Sequence, residues 1–382
     1  IRDNSAQPAS VLVHQLMDVV NQGWSVNDTA TDAAAMLTTE YPLQPFSDAY
    51  FNGTFATYAH EWELESHPVD MHPADLPPPE ETPTLSLAVL EDFLRNPVRH
   101  YLKQRFKSRL YQDDLVNADD EPFGLDGLNN YLLSDRVLQQ WQFAPDQPLD
   151  TWIDTLQADN RLPLHGFGER TRDALWQTIA PVVQRVETTL GDAIRRPNET
   201  LALAITVTLA GQKNLQLEDQ LDQLYRLDGQ LVQVILRPGA VRKDGRPRWD
   251  TLLRAWVRQL AANAQGTALK TVQFGSDSQV SLPALPPDVA RQHLTDLVTH
   301  WQAGLLRPLP VLPKTALMWL HTEDTAKTRT AYEGGYASSG ECSADIARYF
   351  PDFEHLADAG FTDWADKLYG PLLTLHQDGD TP

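Results

Sequence analysis

The chain has 382 residues and a formal net charge of −21, with 31 basic side chains against 52 acidic ones. This balance argues against a general nucleic-acid coat, which depends on neutralising phosphates, but it allows a local basic groove. The single cysteine, Cys342, excludes an internal disulfide framework and cysteine-only metal sites. Because the sequence has neither an apolar run of about 18 residues nor a signal peptide, we expect no membrane span and a cytoplasmic chain.

The first seventy residues contain one clear helical pattern. Apolar residues have the spacing of a buried helix face at Val13, Leu16, Met17 and Val20. A stretch rich in proline and acids follows at residues 74–83, and it predicts a stiff, extended linker. Because the chain begins with Ile1 rather than Met, we expect a fragment of a longer protein. The predicted organisation is the tail of an upstream domain at residues 1–73, a linker at residues 74–84 and a second domain at residues 85–382.

After the linker, helices and strands alternate. Ser86 can cap a helix that Pro97 interrupts, and a second helix is predicted to run to about Arg109. A longer helix is predicted from about Glu169 to Ile194, because apolar residues recur along one face of it.

The hydrophobic period then changes from helical to alternating. It predicts three strands, around Leu201–Leu209, Leu215–Leu221 and Leu231–Leu236, with a turn at Asp228-Gly229. A helix that Asp250 can cap and a strand at Lys270–Phe274 come next. Helix, three strands, helix and strand is the order of a restriction-endonuclease-like (PD-(D/E)XK-type) core. The predicted fold class is therefore α+β, with that core, extra helices and, before it, the tail of a helicase-like α/β domain.

Three stretches of sequence carry a resemblance to a known family. They are Asp3-Asn4-Ser5 with Pro8 to Val13, Tyr41 to Ser47 with Tyr58 to Trp62, and Leu87 to Leu110 followed by Asp120 to Phe123. In this order they resemble the RecC family, the gamma subunit of bacterial exodeoxyribonuclease V. The first two are similar to the end of its second helicase-like domain, and the third is similar to the opening of its C-terminal domain.

The resemblance implies a subunit of the ATP-dependent helicase–nuclease that acts in double-strand break repair and homologous recombination. The gamma subunit of that complex has no ATPase or nuclease activity of its own, and it guides DNA strands through channels. The implied function is a non-catalytic module that guides DNA and docks the other subunits, RecB and RecD. The implied partners are DNA and those subunits, and no cofactor is implied.

An active nuclease of this fold needs an Asp on one strand and an acid-x-Lys motif on the next, to hold Mg²⁺ and activate water. The first strand offers Asp219 and Asp222, but Ile235 stands where the second acid should be and Arg237 where the Lys should be. Isoleucine cannot bind a metal. Arginine stays protonated, so Arg237 cannot act as a base but could bind phosphate, which makes it a candidate DNA contact. We therefore predict no catalytic residue and no metal site, with Asp222, Ile235 and Arg237 as degenerate positions. Glu218, Asp219 and Asp222 are predicted to form an ordinary solvated strand end.

Two groups of basic residues are candidate DNA contacts. The first recurs every four residues, which makes a helical stripe if the break at Pro97 preserves the register: Arg95, Arg99, Lys103 and Lys107. The alternative for this stripe is a solvated face paired with Glu91 and neighbouring acids. The second group follows Arg237 in a loop shaped by Gly245 and Pro247: Arg242, Lys243, Arg246 and Arg248.

Two rival functions remain open. An active Mg²⁺-dependent DNA exonuclease with a migrated acid predicts three or more acids converging on one concave site beside Asp222. A degenerate site instead predicts that Ile235, Arg237 or a covering helix fills that space. A pure protein-interaction domain without DNA contact predicts a large exposed apolar patch and no continuous basic groove, and the acidic charge favours it.

Overall fold

A computed structural model describes residues 9–26, 32–63, 75–79, 84–107, 124–196, 199–210, 214–335 and 338–375. The chain divides into two compact units, Ile1–Asp70 and Met71–Pro382. Several sequence predictions lie outside the described residues: part of the linker (residues 74 and 80–83), the Asp3–Pro8 and Asp120–Phe123 segments and the predicted helix end at Arg109.

The first unit contains short helices joined by irregular segments. They are α1 (Val11–Gly23), α2 (Ala33–Leu37) and two 3-10 turns, Asp48–Tyr50 and His60–Trp62. The helix predicted between Ser10 and Val20 is present as α1, but the expected burial of its apolar face is wrong. No residue of α1 is buried, and Val13 and Leu16 are 46% and 62% exposed.

The second unit is α+β, as predicted. Its helices are α3 (Leu87–Arg95), α4 (Pro97–Phe106), α5 (Gly127–Phe143), α6 (Leu149–Ala158), α7 (His165–Leu190), α8 (Leu253–Ala264), α9 (Pro287–Leu306), α10 (Pro313–Thr322), α11 (Thr325–Glu333), α12 (Ala344–Ala347), α13 (Phe353–Asp358) and α14 (Phe361–Thr374). Its strands are β1 (Thr84–Leu85), β2 (Glu199–Thr208), β3 (Asn214–Leu227), β4 (Gln230–Leu236), β5 (Arg242–Lys243), β6 (Arg246–Pro247), β7 (Leu269–Phe274), β8 (Gln279–Leu282), β9 (Gly334–Gly335) and β10 (Ser338–Ser339).

Six strands form one mixed sheet. β2, β3 and β4 are successively antiparallel, β4 is parallel to β7, and β7 is antiparallel to β8. Asp228 and Gly229 join β3 to β4 with φ angles of 49° and 83°, as a two-residue hairpin turn requires. Helix α8 provides the crossover that the parallel pair β4 and β7 needs. The predicted order of helix, three strands, helix and strand is therefore present.

One edge of β3 has a gap. β2 pairs with β3 from Asn214 to Leu224 and so occupies one of its two edges. The other edge is shared by β1, which pairs at Gln216 and Leu217, and by β4, which pairs from Leu224 onward. In the described chain, no strand pairs with residues 218–223 on that edge. Thr84, which the sequence assigned to the linker, belongs to β1.

The sheet separates two hydrophobic cores, because successive side chains of a strand point to opposite faces. Leu217, Leu224 and Leu231 belong to the core that contains α3, α8, α9 and α14. Tyr225 and Val232 belong to the core that contains α5, α6 and α7. Each face of the sheet is thus covered by helices that different parts of the chain supply.

Several predicted helix boundaries shift in the structure. The long helix starts at His165 and ends at Leu190, after which a 3-10 turn covers Gly191–Arg195. Ser86 is the N-cap of α3, but its side chain makes no capping hydrogen bond. The predicted cap at Asp250 is wrong, because this residue lies in a 3-10 turn and Leu252 is the N-cap of α8. Among the described helices, none is both long and apolar enough to cross a membrane.

Candidate functional site

A cleft of about 370 Å³ opens beside β3, at the gap between β1 and β4. Helix α3 contributes one wall, the middle of β3 a second and α8 a third. The lining residues are Leu87, Ala88, Glu91, Asp219, Gln220, Leu221, Asp222, Gln223, Arg254 and Arg258. Three carboxylates and two guanidinium groups therefore share one concave surface.

Asp219 connects the middle of β3 to the start of α3. Its Oδ2 accepts a hydrogen bond of 2.8 Å from the backbone N–H of Leu87, the first residue of α3. Its Oδ1 accepts one of 2.8 Å from the N–H of Gln220. Asp219 thereby supplies the helix cap that the Ser86 side chain does not, and a negative charge there also favours the positive end of the helix dipole. The prediction of an ordinary solvated strand end is wrong for Asp219, which lies within β3 and is half-buried.

Glu91 is largely buried, with its side chain 10% exposed. Nε of Arg254 donates to one carboxylate oxygen and Nε of Arg258 to the other, both at 2.7 Å. The two arginines lie four residues apart on α8, so they project from the same face of that helix. This ion-pair bridge ties α3 to α8 and leaves neither oxygen of Glu91 without a charged partner.

Asp222 is exposed, and its carboxylate accepts a hydrogen bond of 2.6 Å from the side chain of Gln220. The strand is irregular here. The pairing of β2 with β3 shifts register between Glu199 and Leu201, and Gln223 has a φ of 56°. A bulge of this kind changes the direction in which neighbouring side chains point.

The cleft bears on both predictions for the space beside Asp222. Three acids converge there, as the exonuclease alternative predicts. Of the three alternatives for a degenerate site, Ile235 and Arg237 do not line the cleft, whereas helices α3 and α8 do. Even so, among the described residues no group of three or more His, Cys, Asp or Glu side chains is placed to hold a metal ion. The bonds to Glu91 and Asp219 supply the physical reason, since arginines and backbone N–H groups hold their oxygens.

Ile235 and Arg237 lie at the end of β4. Ile235 is half-buried, and Arg237 follows the strand, with its N–H donating to the carbonyl of Phe274 at 2.9 Å. The guanidinium carbon of Arg237 lies 5.6 Å from the centre of the Tyr131 ring, a cation–π distance. Asp135 also faces this arginine, but burial raises the pKa of Asp135 despite that positive charge.

The first basic group is largely paired with acids. Arg95 and Lys103 contact Asp92 at 3.4 and 3.1 Å, and Nε of Arg99 donates to Asp345 at 2.6 Å. The sequence suggested pairing with Glu91 and neighbouring acids; Glu91 is not among these partners, but its neighbour Asp92 is. Lys107 ends α4 with a φ of 50° and is exposed, without an ion-pair partner in the described part of the chain. The helix breaks at Asn96, so Arg95 lies on α3 and the other three residues on α4.

The second basic group forms a small hairpin. Arg242 and Lys243 make up β5, which pairs with Arg246 and Pro247 in β6. The turn consists of Asp244 and Gly245, with φ angles of 52° and 77°, so Pro247 lies in a strand and not in the turn. Nη2 of Arg248 lies 3.7 Å from Asp250, which is a long ion pair on the surface and therefore a weak one.

Asp277 fastens the base of this basic hairpin. Its two carboxylate oxygens accept hydrogen bonds from the backbone N–H groups of Val241 and Arg242, at 2.8 and 3.1 Å. Although burial opposes it, these backbone donors lower the pKa of Asp277. The side chain of Arg185 also donates to the carbonyls of Gly275 and Asp277. The basic hairpin is thus anchored through its backbone. Lys243 in this hairpin is exposed and makes no ion pair among the described residues.

The second unit is thus an α+β domain with a mixed sheet and an arginine-bridged, acid-lined cleft at the gap in β3. The profile of the RecC C-terminal domain family matches residues 82–324, which is more than half of the chain. The chain therefore belongs to this family.

Two curated relatives have the same name. The chain is 25% identical over 381 residues to the RecBCD enzyme subunit RecC of Escherichia coli (strain K12), which covers 89% of this chain and 31% of the relative. It is 24% identical over 304 residues to the RecBCD enzyme subunit RecC of Haemophilus influenzae (strain Rd), covering 77% of this chain and 25% of the relative. The chain spans less than a third of the length of these relatives.

Sequence reasoning missed Glu91, Arg254, Arg258 and Asp277 as site residues. The spacing of Arg254 and Arg258 is visible in the sequence, but 163 positions separate Arg254 from Glu91. No local pattern pairs residues that far apart.

Proposed function

We propose that this chain is a non-catalytic module of the RecBCD enzyme named in its relatives' description, the ATP-dependent helicase–nuclease that the sequence resemblance implies, and that it guides DNA and docks the other subunits. The family assignment supports membership of that complex. The proposed role is therefore in the processing of double-strand breaks for homologous recombination. The observation that carries the non-catalytic part is the bridge from Glu91 to Arg254 and Arg258. It places two positive charges in the cleft beside Asp222 and occupies both oxygens of Glu91, which are then not free to bind a cation.

The proposed core is of the restriction-endonuclease type. The antiparallel β2, β3 and β4, the crossover through α8 and the parallel strand β7 support it. In that core Asp222, Ile235 and Arg237 would stand at the former catalytic positions. Since isoleucine offers no ligand atom and arginine cannot act as a base, this end of the sheet lacks the usual pair.

The proposed DNA contacts are the basic hairpin together with Arg237. Asp277 holds the backbone of this hairpin in place. Lys243 is exposed and makes no ion pair in the described chain, so its ammonium group can contact a phosphate. The stripe on α3 and α4 is a weaker candidate, because Arg95, Arg99 and Lys103 are already paired with acids. Docking of RecB and RecD would use other faces of the domain.

A metal titration combined with a cleavage assay tests the non-catalytic part. The purified chain is titrated with Mg²⁺ and Mn²⁺ by calorimetry, and labelled single- and double-stranded DNA is incubated under the same conditions. We expect no binding heat and no cleavage.

The same assay tests the rival exonuclease, which the three acids of the cleft favour. Metal-dependent cleavage that Asp222→Ala and Asp219→Ala both abolish would establish that rival and contradict the proposal. The control is Asp288→Ala, which removes the same charge at the exposed start of α9, away from the cleft.

A further inference from the structure

A second pocket, of about 340 Å³, lies between three helices of the second unit and has no part in the function proposed above. Its residues are Trp256 from α8, His293, Asp296, Leu297 and His300 from α9, and Asp366, Lys367, Leu368 and Pro371 from α14. The α9 residues are spaced by three and four positions and so form one stripe of that helix.

The pocket combines an apolar base with two carboxylates. Trp256, Leu297 and Leu368 are buried, so they form the floor. Asp366 is exposed and Asp296 half-buried, which places both nearer the surface. In the described chain neither carboxylate has an ion-pair partner. The one hydrogen bond that reaches them comes from the side chain of Gln292 to Asp296, at 3.0 Å.

Among the described residues, the basic groups that line this pocket form no ion pair with the two carboxylates. Nζ of Lys367 lies 5.2 Å from the centre of the Trp364 ring, and Trp364 does not line the pocket. Burial and the nearby Lys367 lower the pKa of His300, although Asp296 opposes this, so His300 is neutral at pH 7. With two carboxylates against one ammonium group, the lining favours a cation.

We propose that this pocket receives an arginine side chain of a partner protein. The methylene stem of an arginine matches the apolar floor, and its planar guanidinium can donate to two carboxylates at once. A side chain buried in such a pocket is the kind of anchor that dominates protein–protein affinity. The net charge of −21 favours a basic partner surface as well.

The proposal names the chemistry of a partner for the docking role and so rests on it, but the pocket itself can be tested alone. The probe is n-butylguanidinium, which carries the end of an arginine side chain, and n-butylurea is its uncharged analogue of the same shape. Binding is followed by the indole ¹H–¹⁵N signal of Trp256, which the Trp256→Phe variant assigns. We expect a saturable shift at millimolar n-butylguanidinium and at least tenfold weaker binding of n-butylurea.

Two substitutions, made singly and together, test the carboxylates. Asp296→Asn and Asp366→Asn should each weaken n-butylguanidinium binding several-fold, and together they should abolish the saturable shift. Asp288→Asn, at the exposed start of the same helix α9, changes the net charge equally and should leave binding unchanged. Equal affinity for the charged and uncharged probes, or unchanged binding by the double variant, would overturn the proposal.

A second experiment separates failure of this proposal from failure of the docking role. The wild-type chain and the Asp296→Asn/Asp366→Asn chain are mixed with purified RecB and RecD, and their affinities are compared. A tenfold or greater loss in the double variant supports the arginine anchor. Equal, measurable affinity of both chains overturns the anchor and leaves docking standing. If wild type binds neither subunit, the docking role fails, and so does the anchor's assignment to these partners.

Discussion

At the scale of single residues, His100 shows how burial determines a protonation state. The indole N–H of Trp301 donates to Nε2 of His100 at 3.1 Å, so Nε2 must be an acceptor. Nδ1 then carries the proton and faces Asp92 at 3.3 Å. Burial lowers the pKa of His100 although Asp92 acts to raise it, because a charged imidazole would lose solvation and its bond from Trp301.

This environment predicts a pH dependence of stability. The unfolded chain binds a proton at His100 near its ordinary pKa of 6.5, whereas the folded chain resists protonation until a lower pH. The contribution of His100 to stability is therefore complete above about pH 6.5 and is lost as the pH falls toward the folded-state pKa. Urea unfolding from pH 5 to pH 8 should give a shallower pH dependence for His100→Gln than for wild type. Identical slopes would contradict the assignment of this pH dependence to His100. The pKa of His300 is also lowered, but this residue is present in both chains and does not affect the comparison.

Asp219 predicts a difference between two acids of the same cleft. Asp219→Ala removes the cap of α3 and should lower the free energy of unfolding by about 1 kcal/mol. Asp222→Ala removes an exposed side chain whose bond is to Gln220, and should change it by less than about 0.5 kcal/mol. Chemical denaturation of both variants measures the difference, and equal effects would argue against a capping role for Asp219.

At the scale of elements, the return of the chain after α11 depends on one close approach. Beyond Gly340, the N–H groups of Glu341 and Cys342 donate to the carbonyls of Ala331 and Tyr332. The carboxylate of Glu341 then accepts from the N–H groups at the start of α10, at Lys314 and Thr315. This crossing links the end of α11 to the start of α10.

Gly340→Ala should therefore be costly. A Cβ at this position would lie 2.2 Å from the carbonyl oxygen of Tyr332 and 2.3 Å from the backbone nitrogen of Gly334, and backbone atoms cannot move aside cheaply. We expect a loss of about 2 kcal/mol in unfolding free energy, in the range of other overpacked sites. Gly370→Ala is the matched control, because nothing lies within 4 Å of its Cβ and it is inside α14. That change should be neutral or stabilising. Thermal unfolding of both variants measures the comparison, and a Gly340→Ala chain at least as stable as the Gly370→Ala chain would contradict it.

At the scale of the whole molecule, strong acidity coexists with one basic surface element. The basic hairpin leaves the sheet at the end of β4, and Asp277 fixes it through backbone atoms. The hairpin gathers four basic side chains on a fixed backbone and exposes Lys243, so it can meet a phosphate backbone even though the chain as a whole repels one. A local element of this kind binds DNA with strong salt dependence.

A charge-removal variant tests this element. It replaces four residues with alanine: Arg242, Lys243, Arg246 and Arg248. Fluorescence anisotropy with a single-stranded oligonucleotide at about 0.1 M salt should show at least tenfold weaker binding and a shallower salt slope, because each phosphate contact contributes about 0.7 to that slope. The control variant removes four ion-paired arginines elsewhere: Arg136, Arg172, Arg195 and Arg329. Equal losses in both variants would mean that net charge, and not the hairpin, governs binding.

Local patterns in the sequence predicted the elements well. The alternation of Leu203, Ile205 and Val207 predicted β2, and Asp228-Gly229 predicted the hairpin between β3 and β4. These signals work because side-chain direction and allowed φ angles are properties of a few neighbouring residues. Boundaries were less accurate, as at Asp250, because a cap is chosen by the packing at a helix end as well as by residue type.

The sequence by itself determined the α+β class, the order of elements, the absence of the usual acid-x-Lys pair and the resemblance to RecC. Only the tertiary structure decided which charges meet. It paired Glu91 with Arg254 and Arg258, used Asp219 as a helix cap, and neutralised much of the basic stripe with Asp92 and Asp345. The physical reason is that hydrophobic periodicity is local, whereas an ion pair depends on which elements the core brings together across hundreds of positions.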